Sequence, residues 1–124
     1  MRKLVIIPTY NERENVAAMI ETVLALPGEF DLLIIDDNSP DGTAEVVRSY
    51  QQRHPQRLHL LCREGKLGLG TAYLMGFRWG LEQGYDTLSE MDCDFSHNPE
   101  DLPRLVAELE RGADVAIGSR YVQG

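Results

Sequence analysis

Residues 32–43 read LLIIDDNSPDGT, an uninterrupted apolar run that ends in two adjacent carboxylates and a turn rich in Asp, Pro and Gly. A short, continuous apolar run bounded by turn signals is typical of a strand that is buried on both faces. From Ala44 to about Arg53, apolar side chains recur at helical spacing. The stretch therefore predicts a buried strand, a polar loop and a helix, in that order.

The same alternation runs along the whole chain. The apolar runs predict five strands, at Leu4–Pro8, Leu32–Ile35, Leu58–Leu61, Thr87–Met91 and Val115–Ile117. Helical periods lie between them, from Arg13 to the Pro27-Gly28 stop, from Ala44 to about Arg53, over Gly68–Leu81 and from Pro99 to Leu109. Strands that alternate with helices predict an α/β fold, a mostly parallel sheet with helices on both faces.

Composition excludes several classes of protein. The chain has 124 residues, which fits one domain. Its 12 basic and 20 acidic side chains give a net charge of −8, unlike a nucleic-acid binder. No apolar run approaches the roughly 20 residues that span a bilayer, and the two cysteines form no CxxC pair. We expect a cytoplasmic, reduced domain, in which any anionic ligand needs a cation.

In a parallel sheet, ligands bind beyond the carboxyl ends of the strands. The sequence concentrates polar residues after the predicted strands, whereas the opposite connections look like plain turns. These polar strand ends are residues 8–12, 36–42, 62–70, 92–97 and 118–121. The chemistry is therefore expected at this edge of the sheet.

Asp92-Cys93-Asp94 follows the fourth predicted strand. Two carboxylates at a strand end can share one ion, and Mg²⁺ often binds through one or two carboxylates plus substrate phosphates. The alternative is a solvated acidic turn in which Ser96 or Asn98 caps the next helix. The position at the ligand edge favours the metal site.

Asp36 and Asp37 end the second strand. Such residues organise turns, but a strand-end carboxylate can also bind the hydroxyls of a nucleotide. We assign Asp36 to the turn and Asp37 to the ligand. Asp41 is expected to cap the following helix.

The first strand ends in Thr9-Tyr10-Asn11-Glu12. Asn11 is predicted as the N-cap of the first helix, with Glu14 completing a capping box. Tyr10 could then stack on a base, and Glu12 could bond its edge.

Two further strand ends leave alternatives open. Lys66–Thr71 is a glycine-bearing loop that matches neither GxGxxG nor a P-loop, and either a flexible turn or a close approach to a ligand explains it. Arg120, after the fifth strand, suits a phosphate or a surface ion pair.

Taken together, five segments resemble the family 2 glycosyltransferases with the GT-A fold, in their order and approximate spacing. The segments are residues 6–12, 35–43, 68–73, 90–97 and 118–121. The first two indicate only the broad family. Gly-Leu-Gly-Thr-Ala-Tyr and Met-Asp-Cys-Asp-Phe-Ser-His are similar to the branch that transfers mannose to dolichyl or polyprenyl phosphate.

The resemblance implies a set of ligand contacts. Residues expected to contact the guanine nucleotide are Pro8, Tyr10, Glu12, Ile35 and Asp37. Residues expected at the diphosphate, the metal and the reacting sugar are Asp92, Cys93 (through its backbone, where the family usually has Ala), Asp94, Ser96 (as a weak or water-mediated metal ligand) and Arg120. Of these, Asp94 and Arg120 are implied to act in catalysis.

The implied reaction moves mannose from GDP-mannose to a dolichyl or polyprenyl phosphate, with inversion and with Mg²⁺ or Mn²⁺. Two alternatives stay open: a family 2 enzyme that uses a UDP-sugar, and a non-catalytic, receiver-like module that binds Mg²⁺.

Family domains continue beyond Gly-Ser-Arg-Tyr. The resemblance therefore implies that residues 1–124 are the donor-binding part of a longer enzyme at the cytoplasmic face of a membrane. Uncovered apolar surface on such a part would favour a homo-oligomer.

Overall fold

A computed structural model describes residues 2–64, 69–91, 93, 103, 115–116 and 121–123. The strands are β1 (Lys3–Thr9), β2 (Phe30–Asp36), β3 (Leu58–Cys62), β4 (Thr87–Glu90), β5 (Val115–Ala116) and β6 (Tyr121–Gln123). The helices of this part are α1 (Arg13–Leu24), α2 (Thr43–Gln51) and α3 (Leu69–Glu82). The five predicted strands and the first three helices are confirmed. The predicted helix from Pro99 to Leu109 lies almost entirely outside the described residues.

The strands form one sheet in the order β3-β2-β1-β4-β6-β5. β1 pairs in parallel with β2 on one side and with β4 on the other, and β3 extends the parallel part beyond β2. The strand β6, which the apolar pattern did not predict, pairs antiparallel with β4 and β5. The sheet is thus mostly parallel, with an antiparallel edge.

The strand order reverses direction at β1. The chain builds β2 and then β3 on one side of β1, and it returns to place β4 on the other side. In open α/β sheets, such a reversal opens a crevice at the carboxyl ends of the two strands, and ligands bind there. The ends of β1 and β4 therefore lie at the expected binding position.

Both faces of the sheet are covered. Val5 and Ile7 of β1 join a buried cluster with residues of α1 and α2. The alternate residues Leu4 and Ile6 join a second cluster with residues of α3. Successive side chains of a strand point to opposite faces, so one apolar run supplies two cores.

Helix α3 packs unusually close to the sheet. A Cβ atom added at Gly76 would lie 2.5 Å from Cγ2 of Ile6, and one added at Gly80 would lie 2.5 Å from Cδ2 of Leu88. These glycines weaken the helical pattern of the sequence, and their lack of a side chain is what allows the close approach.

Candidate functional site

Asp36, the last residue of β2, joins the end of β1 to the loop after β2. This carboxylate is almost fully buried and accepts hydrogen bonds from the hydroxyls of Thr9 (2.7 Å) and Ser39 (2.6 Å). It also accepts the backbone N–H of Ser39 at 3.0 Å. The turn-forming role predicted for Asp36 is confirmed.

Asp37 forms a buried ion pair with Arg63, the residue after β3. Nε and Nη2 of Arg63 donate to the two carboxylate oxygens of Asp37, at 2.5 and 2.7 Å. Each residue is only 6% exposed. Nη1 of Arg63 donates to the hydroxyl of Thr71 on α3, at 2.8 Å. Sequence reasoning missed Arg63, although its position at a strand end on the ligand edge was the available signal.

Backbone hydrogen bonds fix the position of both residues. The N–H of Arg63 donates to the carbonyl of Asp36 at 2.8 Å, and the N–H of Asp37 donates to the carbonyl of Thr9 at 3.0 Å. The ends of three neighbouring strands are therefore joined through main-chain bonds as well as side chains.

The predicted cap of α1 is wrong. Asn11 has φ = 54°, and the N-cap position belongs to Glu12, which makes no side-chain cap bond. Instead, the N–H groups of Glu12 and Arg13 donate to side-chain oxygens of Thr43 and Asp41, both at 3.1 Å. The first turn of α1 is thus capped by the loop before α2, which is distant in sequence.

Asp41 serves both helices, but not from the N-cap position. That position in α2 is held by Gly42, with φ = 88°. Asp41 accepts the N–H of Thr43 at 3.0 Å and the Thr43 hydroxyl at 2.5 Å. The hydroxyl bond is the main cause that lowers the pKa of Asp41, and the N–H groups of Arg13 and Thr43 add to it. A carboxylate that receives several donors is favoured in its charged form.

The other residues expected at the nucleotide differ in exposure. Tyr10 is 39% exposed and Glu12 is partly exposed, and Glu12 accepts the side-chain N–H of Asn15 at 3.1 Å. Pro8 is buried, and Ile35 is fully buried in the cluster that faces α3. Any contact from Ile35 to a ligand would therefore come from its backbone.

Three described residues, Glu90, Met91 and Cys93, lie beside the predicted metal site in the sequence. Glu90, which sequence reasoning did not assign, is 8% exposed, and Cys93 is buried in the cluster that faces α1. Its thiol therefore lies in the core. Asp92, Asp94, Ser96 and Arg120 lie outside the described residues. Among the described side chains, no group of three His, Cys, Asp or Glu could hold a metal ion.

Within the same part of the chain, no helix combines the length and the apolar character needed to cross a membrane.

Comparison with known proteins gives consistent matches. The chain is 51% identical, over 99% of its length, to a polyprenol monophosphomannose synthase of Mycolicibacterium smegmatis. It is 52% identical, over its whole length, to an undecaprenyl-phosphate mannosyltransferase of Micrococcus luteus. The chain covers 46% and 50% of these two proteins, so it spans about half the length of the curated relatives it matches.

Solved structures show the same fold. The mannosyltransferase PcManGT of Pyrobaculum calidifontis, in complex with GDP-Man and Mn²⁺, superposes with a TM-score of 0.76 at 22% identity, covering 92% of this chain and 33% of that one. TarS 1-349 of S. aureus, in complex with UDP-GlcNAc, gives 0.71 at 26% identity, with 93% and 33% coverage. The predicted GT-A fold is confirmed.

Residues 4–124 match the model of the family described as "Glycosyl transferase family 2". That match covers nearly the whole chain, and the chain belongs to glycosyltransferase family 2.

Proposed function

We propose that this chain binds GDP-mannose and forms the donor-binding part of an enzyme that transfers mannose, with inversion, to a polyprenyl or dolichyl phosphate. The observation that carries the proposal is the identity of 51% and 52% to two proteins named for mannose transfer to polyprenyl phosphates. Family membership favours a transferase over the receiver-like module.

The donor nucleotide is assigned to the crevice beside β1. Tyr10 is exposed at the end of β1, where its ring could stack on a base. Glu12 follows it with a partly exposed carboxylate. Asp37 ends the neighbouring strand and, in this proposal, accepts a hydrogen bond from the nucleotide. Pro8 and Ile35 would border the same crevice, with Ile35 contributing its backbone.

A divalent cation, Mg²⁺ or Mn²⁺, is assigned to Asp92 and Asp94, with Ser96 as a weak or water-mediated ligand. Carboxylates and a hydroxyl are the hard oxygen ligands that these ions prefer. Cys93, which stands between the two aspartates in the sequence, lies three residues after the end of β4 and is buried in the cluster that faces α1. When bound, the cation would offset the charge that develops on the departing GDP.

The remaining roles follow from charge. Arg120 would donate to the diphosphate or the sugar, as a guanidinium suits phosphate oxygens. Cys93, whose side chain is buried, would approach the donor only through its backbone. The acceptor phosphate is already anionic, so its oxygen can attack the sugar carbon in a single displacement without a strong general base. Because that acceptor is a lipid, the enzyme would work at a membrane surface.

Calorimetry with a panel of donors tests the proposal. Titrations of GDP-mannose, GDP, UDP-glucose and UDP-GlcNAc, with and without Mn²⁺, should give the tightest binding for the guanine nucleotides with the metal present. Transfer of labelled mannose to a polyprenyl phosphate by the longest protein that carries this chain tests the reaction itself.

A UDP-sugar donor is the second candidate. It is favoured by the likeness to TarS, whose solved complex contains UDP-GlcNAc and whose sequence is 26% identical. Tighter binding of the uridine nucleotides in the same panel would select it over GDP-mannose.

A further inference from the structure

We propose that Arg63 is a positioning residue for the donor nucleotide, and that it acts through Asp37 rather than by its own contact. This inference rests on the proposed function, because it takes Asp37 as a nucleotide-binding residue.

Arg63 and Asp37 form a bidentate ion pair. Two parallel N–H···O bonds join Arg63 to both oxygens of Asp37. Bidentate, charge-assisted bonds of this kind are short and fix the relative orientation of the two groups. The pair is buried, so water competes little for either partner. Asp37 is therefore held in one rotamer before any ligand arrives.

The ion pair leaves part of the hydrogen-bonding capacity of the Asp37 carboxylate available to a ligand. A carboxylate has about four lone-pair sites, and a bidentate arginine occupies two of them. The remaining sites, one on each oxygen, diverge from each other. Asp37 can then offer a single directed acceptor to a ribose hydroxyl or a base N–H. If both oxygens of Asp37 were to accept from two neighbouring donors on one base edge, Arg63 would have to leave the carboxylate.

Arg63 is also linked to α3. Nη1 of Arg63 donates to Thr71 in the first turn of α3, and the backbone N–H of Arg63 donates to Asp36 at the end of β2. One side chain thus connects the ends of β2 and β3 to the start of α3. A lysine would keep the charge but could not reproduce the planar fork.

The chain offers a matched control at the opposite end of the sheet. Arg57 and Asp31 also form an arginine–aspartate pair, with Nε 3.7 Å from Oδ1 and with both side chains partly exposed. Arg57 directly precedes β3 and Asp31 is the second residue of β2, so both lie at the amino ends of strands, remote from the ligand edge. Arg57→Lys therefore repeats the chemical change without touching the proposed mechanism.

The test is a double-mutant cycle on GDP affinity, measured by calorimetry with Mn²⁺ for wild type, Arg63→Lys, Asp37→Asn and the double variant. Loss of a charge-assisted hydrogen bond predicts about tenfold weaker binding for Arg63→Lys, and Arg57→Lys should stay near wild type. Because Arg63 acts through Asp37, the double variant should bind about as weakly as Asp37→Asn alone. Thr71→Val removes the hydroxyl that accepts a hydrogen bond from Arg63 and keeps the arginine itself. It supplies a milder variant, and it should weaken binding less than Arg63→Lys does.

The outcomes separate this inference from the proposed function. Wild type that binds neither GDP nor UDP overturns the proposed function, and the inference with it. Wild type that binds, together with Arg63→Lys and Thr71→Val variants that melt normally and bind equally well, overturns the inference alone. The inference is also overturned if the fold-losses in GDP affinity of the two single variants multiply in the double variant, since Arg63 would then contact the nucleotide independently. If Arg63→Lys fails to fold, weaker binding by folded Thr71→Val supports the inference, and unchanged binding contradicts it.

Discussion

Replacement of Gly76 by alanine tests the close packing of α3 on the sheet. The added Cβ would lie 2.5 Å from Cγ2 and 3.1 Å from Cδ1 of Ile6, and 3.2 Å from Cδ1 of Ile35. Carbon atoms pack best at about 3.5–4.0 Å, so the helix would have to move outward by roughly 1 Å. Both isoleucines are fully buried, so they cannot turn away into solvent.

Two effects of opposite sign determine how Gly76→Ala changes the free energy of unfolding. Alanine is favoured over glycine in a helix interior by about 1 kcal/mol. Overpacking of a dense core costs about 1–3 kcal/mol, and a contact this short belongs at the upper end of that range. We therefore expect Gly76→Ala to lower the free energy of unfolding by about 1–2 kcal/mol, against the direction of helix propensity.

Gly70→Ala is the matched control, because Gly70 lies in the same helix and a Cβ there meets no atom of the described residues within 4 Å. Only the propensity gain of up to about 1 kcal/mol remains at this position. Urea denaturation followed by circular dichroism should thus shift the two midpoints in opposite directions, by roughly 0.5–1 M for Gly76→Ala and by up to about 0.5 M for Gly70→Ala. A Gly76→Ala variant as stable as the Gly70→Ala variant would refute the packing argument.

Three further predictions concern acid stability, the metal and the isolated chain. Because the pKa of Asp41 is lowered in the folded protein, its contribution to stability is present above the unfolded value of 3.8 and is lost as pH falls through the folded pKa. Asp41→Asn should therefore lower the free energy of unfolding at pH 7 and reduce the loss of stability in acid. An unchanged pH profile of urea denaturation would contradict this. Asp94→Asn should abolish the gain in GDP affinity on addition of Mn²⁺, and a surviving metal dependence in calorimetry would show that the metal site is misassigned. The isolated chain of 124 residues should bind nucleotide weakly and transfer little or no mannose to a polyprenyl phosphate, and robust turnover of labelled donor would contradict this expectation.

Local patterns were sufficient to predict most of the secondary structure. The buried strands read as continuous apolar runs because both faces of this sheet are covered, and β1 and β2 lie within a residue or two of their predicted bounds. The strand β6 was missed because Tyr121–Gln123 is only three residues long, too short for any period to be recognised.

The candidate site was predicted only in part, because local sequence patterns do not show which distant residues meet. The carboxylates at the ends of β2 and β4 could be found in the sequence because strand ends mark the ligand edge of a parallel sheet. Their partners could not. Asp37 and Arg63 are 26 residues apart and meet because β2 and β3 pair in parallel, with Asp36 opposite Cys62.

Helix capping and the positions of glycines in α3 also depend on tertiary contacts that local sequence does not show. Sequence motifs favoured Asn11 as a local cap, but the tertiary fold brings Asp41 and Thr43 to the first N–H groups of α1. Gly76 is unfavourable within a helix and becomes necessary only because Ile6 lies against it. The sequence alone thus determined which segments become strands and helices and which edge carries the polar residues, because these follow from short-range periodicity. The tertiary structure alone decided which polar groups are paired, because pairing depends on the register between strands that are distant in the chain.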